Sequence, residues 1–179
     1  IYKKIKNVNG SIVEWGVLFG GGLLSFAHFS SIFEPINYTR KIIGFDTFEG
    51  FPSLSKQDKS KNPNNQMKKG GYKVNSLNDL KKCIELYDSN RFINQIPKIE
   101  LVKGNVNKTI PKYLKDNPHL IVSLLYLDLD LYEPTKIALQ NFLPRMPKGS
   151  IIAFDEINVD QWPGETLALL DEVGIRNLR

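Results

Sequence analysis

The chain of 179 residues is 41% hydrophobic, enough for one sizeable core and too short for two ordinary domains with a linker, so a single domain over residues 1–179 is expected. Its formal charge of +5 and pI near 9.2 do not argue for nucleic acid, because the excess gathers between Ser53 and Lys73, where six lysines and one aspartate sit among Asn, Gln, Ser and Gly without arginines or interleaved stacking aromatics. A lone Cys83 excludes an internal disulfide and a cysteine-based zinc cluster, and no run approaches the roughly 18 apolar residues that span a bilayer.

In chain order, the start "IYKKIKNVNG" lacks an apolar signal-peptide core and an initiator Met. It reads as neither a signal peptide nor a natural N-terminus, and the expected location is the cytoplasm. A first strand, "SIVEWGV" (11–17), runs through Gly20, Gly21 and Gly22 into a helix, "GLLSFAHFSSIF". A second strand, "KIIGFD" (41–46), leads into the lysine-rich segment, read as a mobile lid loop over 53–75. The helix "SLNDLKKCIELYDSN" follows, with Cys83 placed as a core thiol. Next come the strand "KIELVKG" (98–104), the helix "NKTIPKYLKD", the strand "LIVSLLYLD" (120–128), the helix "EPTKIALQNFL" with Pro134 in its first turn, and the strand "SIIAFDE" (150–156). None of the five strands alternates cleanly, which predicts burial on both faces as in a parallel sheet. The expected fold is therefore α/β: a Rossmann-like, doubly wound, mostly parallel sheet.

The acids carry the functional signal. Glu14 lies late in the first strand, Asp46 ends the second, Asp128 the fourth, and Asp155 with Glu156 the fifth. In an open parallel sheet all of these lie on the carboxyl edge, where ligands bind. Each acid alone has a helix-capping explanation; the set together marks a site. His28 in the first helix and His119, ahead of the fourth strand and so on the opposite edge, read as structural.

Three nucleotide readings compete for "EWGVLFGGG". A P-loop fails because Leu23 and Leu24 follow the glycines where Lys and Ser or Thr are required. A dinucleotide fingerprint is disfavoured by the G-x-x-x-G-G-G spacing and stays open. S-adenosylmethionine needs no phosphate cradle: its demands are close backbone approach, met by Gly16 and Gly20, an acid near its ammonium, met by Glu14, and an acid for the ribose hydroxyls, met by Asp46.

The segments "VEWGVLFGGG", "IIGFDTFEGFP", "LVKGNVNKTIP", "LYLDLDLYEPTKIAL" and "GSIIAFDEINVDQWPGETLAL" resemble, in order and spacing, the macrocin O-methyltransferase family of metal-dependent sugar methyltransferases with the class I S-adenosylmethionine fold. The resemblance spans nearly the whole chain, and "DTFEGFP" and "DLDLYEPT" are its most specific parts. It implies methyl transfer from S-adenosylmethionine to a hydroxyl of a deoxysugar, sugar nucleotide or glycoside, assisted by Mg2+. It implies cofactor contacts at Glu14, Gly16, Asp46, Thr47, Gly104, Asn105 and Asp128, metal ligands at Asp128, Asp155 and Glu156, and a general base at Asp130. Two positions depart from the family pattern: Gly22 stands where Ser is frequent, and Glu156 where a second Asp is. The fold of the family usually adds a closing antiparallel pair of C-terminal strands, which are expected to be missing from residues 1–179.

A small sugar or glycoside acceptor, free or nucleotide-linked, is thus the expected partner, with no nucleic acid and no membrane; a homo-oligomer is left open. The lysine-rich loop and "NVDQWPGET" both leave the carboxyl edge, placed to close over substrate. Trp162 either stacks on a sugar face or packs its loop down. The alternatives are a glycosyltransferase using Asp-x-Asp to hold a metal against a sugar nucleotide, and a non-catalytic nucleotide-binding relic of the fold.

Overall fold

The structure, a computed structural model, describes residues 1–178. Five parallel strands form one sheet: β1 (Ser11–Trp15), β2 (Ile42–Asp46), β3 (Ile99–Lys103), β4 (Val122–Leu127) and β5 (Ile151–Phe154), in the order β3-β2-β1-β4-β5. Six α-helices accompany them: α1 (Tyr2–Ile5), α2 (Gly21–Phe33), α3 (Leu77–Ser89), α4 (Val106–Asp116), α5 (Tyr132–Phe142) and α6 (Pro163–Glu172). This is the doubly wound arrangement expected from the strand and helix alternation. Among the described residues no helix is long and apolar enough to cross a membrane.

Alternate strand residues face opposite layers. Val13, Trp15, Ile43, Phe45, Leu125 and Leu127 pack with α4, α5 and α6, where the Trp15 ring stacks on Phe45 at 4.2 Å and meets the Phe142 edge at 5.5 Å. Ile12, Ile42 and Leu124 pack with α2 and α3 through Leu23, Ala27 and Leu80. Burial on both faces therefore holds for the central strands β1, β2 and β4, whereas β3 and β5, at the sheet margins, are only partly covered. The strands stop short of the apolar runs at their carboxyl ends. Gly16, Gly104, Asp128, Asp155 and Glu156 lie beyond the ladder, in the turns that form the ligand edge.

Two local expectations meet a different outcome or a fuller picture. Cys83 is exposed, not a core thiol: α3 buries Leu80 and Tyr87, a narrow stripe that leaves Cys83 on its outer flank. The segment after β2 holds neither helix nor strand up to α3, yet it is tied to the body. Phe51 and the pair Gly70 and Gly71 exchange backbone hydrogen bonds at 2.8 and 3.0 Å. Asp58, only 1% exposed, accepts the Ser55 N–H at 2.6 Å, the Ser55 hydroxyl at 2.8 Å and the Tyr132 N–H at 2.7 Å. It thereby caps α5 from outside, where Leu131 at the N-cap offers no side-chain acceptor. All six lysines of the segment point to solvent.

Candidate active site

A cavity of about 290 Å³ opens at the carboxyl edge, beside the switch point where the chain leaves β1 toward one side and β4 toward the other. Of the residues singled out from sequence, Gly16, Asp46, Thr47, Asp128, Asp130, Asp155 and Glu156 all line it. Glu14, Gly20, Gly104 and Asn105 do not line it. His28, against the Tyr87 ring, and His119, in a depression on the opposite edge, take no part.

The local geometry explains each position. Gly16 has φ +78°, and a Cβ there would come within 1.8 Å of the Asp128 carbonyl oxygen, so β1 and β4 can diverge this closely only with glycine. Asp46 accepts the Leu18 N–H at 2.8 Å and the Phe48 N–H at 2.6 Å, and so joins the turn after β1 to the turn after β2. The Thr47 hydroxyl donates to the Gly50 carbonyl at 2.8 Å, closing the "DTFEG" turn. Gly20 is the left-handed N-cap of α2. Asn105 accepts the Asn107 N–H at 3.0 Å as the N-cap of α4, which leaves its neighbour Val106 as the cavity wall.

The acids form a mutually repelling group. Burial above all, then Asp155, Glu156 and Asp46, push the Asp128 carboxyl up to about 7. Burial and then Asp128 and Glu165 push Asp130 up to about 8. Asp130 also adopts φ +60°, a left-handed conformation that Asp tolerates better than most residues. Glu156 is raised by burial and by Asp155, whose own carboxylate accepts the Tyr126 hydroxyl at 3.0 Å.

Sequence reasoning missed three participants. Tyr72, from the lysine-rich segment, lines the cavity and packs against Phe51 and Trp162 at ring distances of 5.6 and 5.8 Å. Trp162 itself is buried against these rings, so of its two readings the structure shows the packing one. Asp58 and Glu165, both fully buried, accept backbone N–H groups of the cavity loops. The one available signal was position: Asp58 is the only acid in a lysine run, and Glu165 is an acid two residues after Pro163, in the first turn of a helix that also buries Ala168 and Leu169.

The macrocin-O-methyltransferase (TylF) family profile matches residues 3–168. The chain belongs to that family. It is an O-methyltransferase that takes its methyl group from S-adenosylmethionine, and the resemblance read from the five motifs is borne out. Among solved structures, the calicheamicin methyltransferase CalS11 is 38% identical with a TM-score of 0.94, covering 99% of this chain and 69% of its own. An apo structure of CalS11, described as a TDP-rhamnose 3'-O-methyltransferase, is 37% identical with a TM-score of 0.83 over the same shares of the two chains. The O-methyltransferase NovP, at 20% identity and a TM-score of 0.68 over 94% of this chain and 68% of its own, shares the fold. No curated protein matches the chain.

The family's methyl donor fits what the site leaves unsatisfied. Glu14 is 2% exposed, its carboxylate approaches Gly22 and receives the Leu23 N–H, and its Oε2 has no partner. Burial, then Asp128, push it up to about 8. A buried carboxylate with a free oxygen calls for a cation, and the ammonium of an amino-acid tail is one. For a divalent metal the donor chemistry fits and the closed geometry is absent: hard carboxylate oxygens share one wall, yet among the described residues no group of three or more His, Cys, Asp or Glu is arranged to hold a metal ion.

Proposed function

We propose that this enzyme methylates a hydroxyl of a nucleotide-linked deoxysugar in the cytoplasm, with a divalent cation, most simply Mg2+, held by Asp128, Asp155 and Glu156. The observation that carries the reading is the convergence of Asp128, Asp130, Asp155 and Glu156 on a single cavity that Gly16 and Asp46 also line. The acceptor class rests on CalS11, whose described substrate is TDP-rhamnose, together with the exposed lysines of the segment above the cavity, which suit an anionic substrate.

The chain's residues divide the work. Glu14 holds the donor's ammonium, while Gly16 and Gly20 let the backbone approach its tail. Asp46, with Thr47 shaping its turn and Gly104 and Asn105 behind Val106, receives the ribose and adenosine end. These contacts set donor and acceptor in line, which is a large part of catalysis for a displacement at carbon. A sugar hydroxyl is a weak nucleophile; a divalent cation held by Asp128, Asp155 and Glu156 would lower its pKa and stabilise developing alkoxide charge. As the new C–O bond forms and the C–S bond breaks, Asp130 takes the hydroxyl proton. Its raised pKa suits a proton acceptor once neighbouring negative charge is neutralised. Tyr72 lines one side of the cavity and is backed there by the buried Trp162 ring.

Isothermal titration with S-adenosylhomocysteine, followed by radiolabelled methyl transfer to TDP-deoxysugars with and without Mg2+, tests the reading. Asp128→Ala should abolish Mg2+-stimulated transfer while cofactor binding persists. Activity unaffected by chelators and by this substitution would sink the metal assignment. Failure of S-adenosylhomocysteine to bind would sink the donor contacts assigned to Glu14, Gly16 and Asp46.

A further inference from the structure

We infer that Glu165 is the positioning residue that fixes the two acid-bearing loops of the site relative to one another. It rests on the reading of Asp130 and Glu156 as catalytic and metal-holding groups. Glu165 sits in the first turn of α6 with no exposed surface and does not line the cavity. One carboxylate oxygen accepts the N–H groups of Leu129 at 2.8 Å and Asp130 at 3.1 Å, and the other accepts the N–H of Glu156 at 3.3 Å. A single side chain therefore bridges the loop after β4 and the loop after β5.

The bridge lies where the sheet can no longer supply one. The β4–β5 register ends at Leu127 and Phe154, with one further backbone bond from the Asp155 N–H to the Leu127 carbonyl. Beyond that point the backbone donors of Leu129, Asp130 and Glu156 have no strand partner, and burying them unpaired is costly. The four carboxylates carried by these loops also repel one another, which favours splaying the loops apart. Glu165 opposes that motion by holding both loops through their backbone, and it keeps Asp130 in its left-handed conformation. The neighbouring Gly164 makes the approach possible: a Cβ there would lie 2.5 Å from the Tyr132 nitrogen and 2.8 Å from the Asp130 carbonyl oxygen.

The bonding pattern asks for a carboxylate. All three partners are donors, and Gln would set its NH2 against one of them, the Glu156 N–H in the least disturbed arrangement. The test is Glu165→Gln, with Glu165→Asp, one methylene shorter, as the second variant. In the folded, ligand-free proteins, hydrogen exchange followed by NMR should show faster exchange at Glu156 in E165Q and at all three amides in E165D, with β1 and β2 amides unchanged. In steady-state methyl transfer, kcat per folded molecule should fall by about tenfold or more, as expected of sub-ångström misplacement, with the affinity for S-adenosylhomocysteine held within about twofold. Unchanged amide exchange overturns the inference, as does altered exchange with wild-type kcat. A Gln variant that does not fold also overturns it, since Glu165 is then a residue of the fold alone. If the wild type binds S-adenosylhomocysteine but methylates no sugar nucleotide, the acceptor reading fails and the exchange measurement alone decides the bridge.

Discussion

Replacing Glu14 by Gln should flatten the dependence of folding stability on pH. Burial is the chief cause that lifts this carboxyl from 4.5 to about 8, Asp128 and then Asp46 add repulsion, and the Leu23 N–H opposes them. Between those two values the native state holds a proton that the unfolded chain has released. Stability from this group is thus fully present below about 4.5 and falls as pH rises toward about 8. At ~1.4 kcal/mol per pKa unit the ceiling is about 5 kcal/mol, of which about 3.5 kcal/mol falls between about pH 5 and about pH 8. Gln keeps the shape and an oxygen for the Leu23 N–H, and it cannot ionise. Urea unfolding of wild type and E14Q from about pH 5 to about pH 8, without ligand, should show the wild type losing stability more steeply than the variant. S-adenosylhomocysteine carries the same ammonium as the donor, so its affinity for wild type should rise over the same interval and that rise should vanish in E14Q. Parallel stability profiles for the two proteins would refute the claim that Glu14 is a buried acid awaiting a cation.

The parts of the site legible in the sequence are those fixed by strand direction. Because parallel strands all end on one edge, an acid at the close of an apolar run is placed without any knowledge of pairing, and Asp46, Asp128, Asp155 and Glu156 were found that way. Glu14 follows from period two: it shares the face of Ile12, toward α2, which sets it under the glycine turn instead of in the cavity wall. Asp58 and Glu165 were not legible because their partners are backbone N–H groups far away in the chain, and a backbone donor leaves no mark in the residue pattern. Asp58 is further masked by composition, since the surrounding lysines give the segment a solvated character that its one inward acid does not alter. Cys83 shows the converse failure: helical spacing locates a stripe but not its width, and α3, at the sheet margin, buries a narrow one.

Asp130→Asn should lower kcat by about 10²- to 10⁴-fold with little change in S-adenosylhomocysteine affinity, because it removes only the proton acceptor. A residual rate within a few-fold of wild type by radiolabelled transfer would reassign the base. Asp58→Ala should release the lysine-rich segment, since the Ser55 and Tyr132 N–H groups lose their acceptor together and α5 loses the side-chain cap that Leu131 cannot supply. The expected loss is about 1 kcal/mol of stability, small enough that the sheet stays folded. Limited trypsin digestion reads the effect directly, because all six lysines of the segment are already exposed and cleavage then reports how readily the backbone opens. If the segment is a lid over the cavity, D58A should be cut several-fold faster than wild type, and donor analogue with acceptor together should slow cleavage in wild type more than in D58A. Equal cleavage of the two proteins in both states would mean that the anchor at Tyr132 does not govern the segment, and that Tyr72 is held over the acids by Phe51 and Trp162 alone.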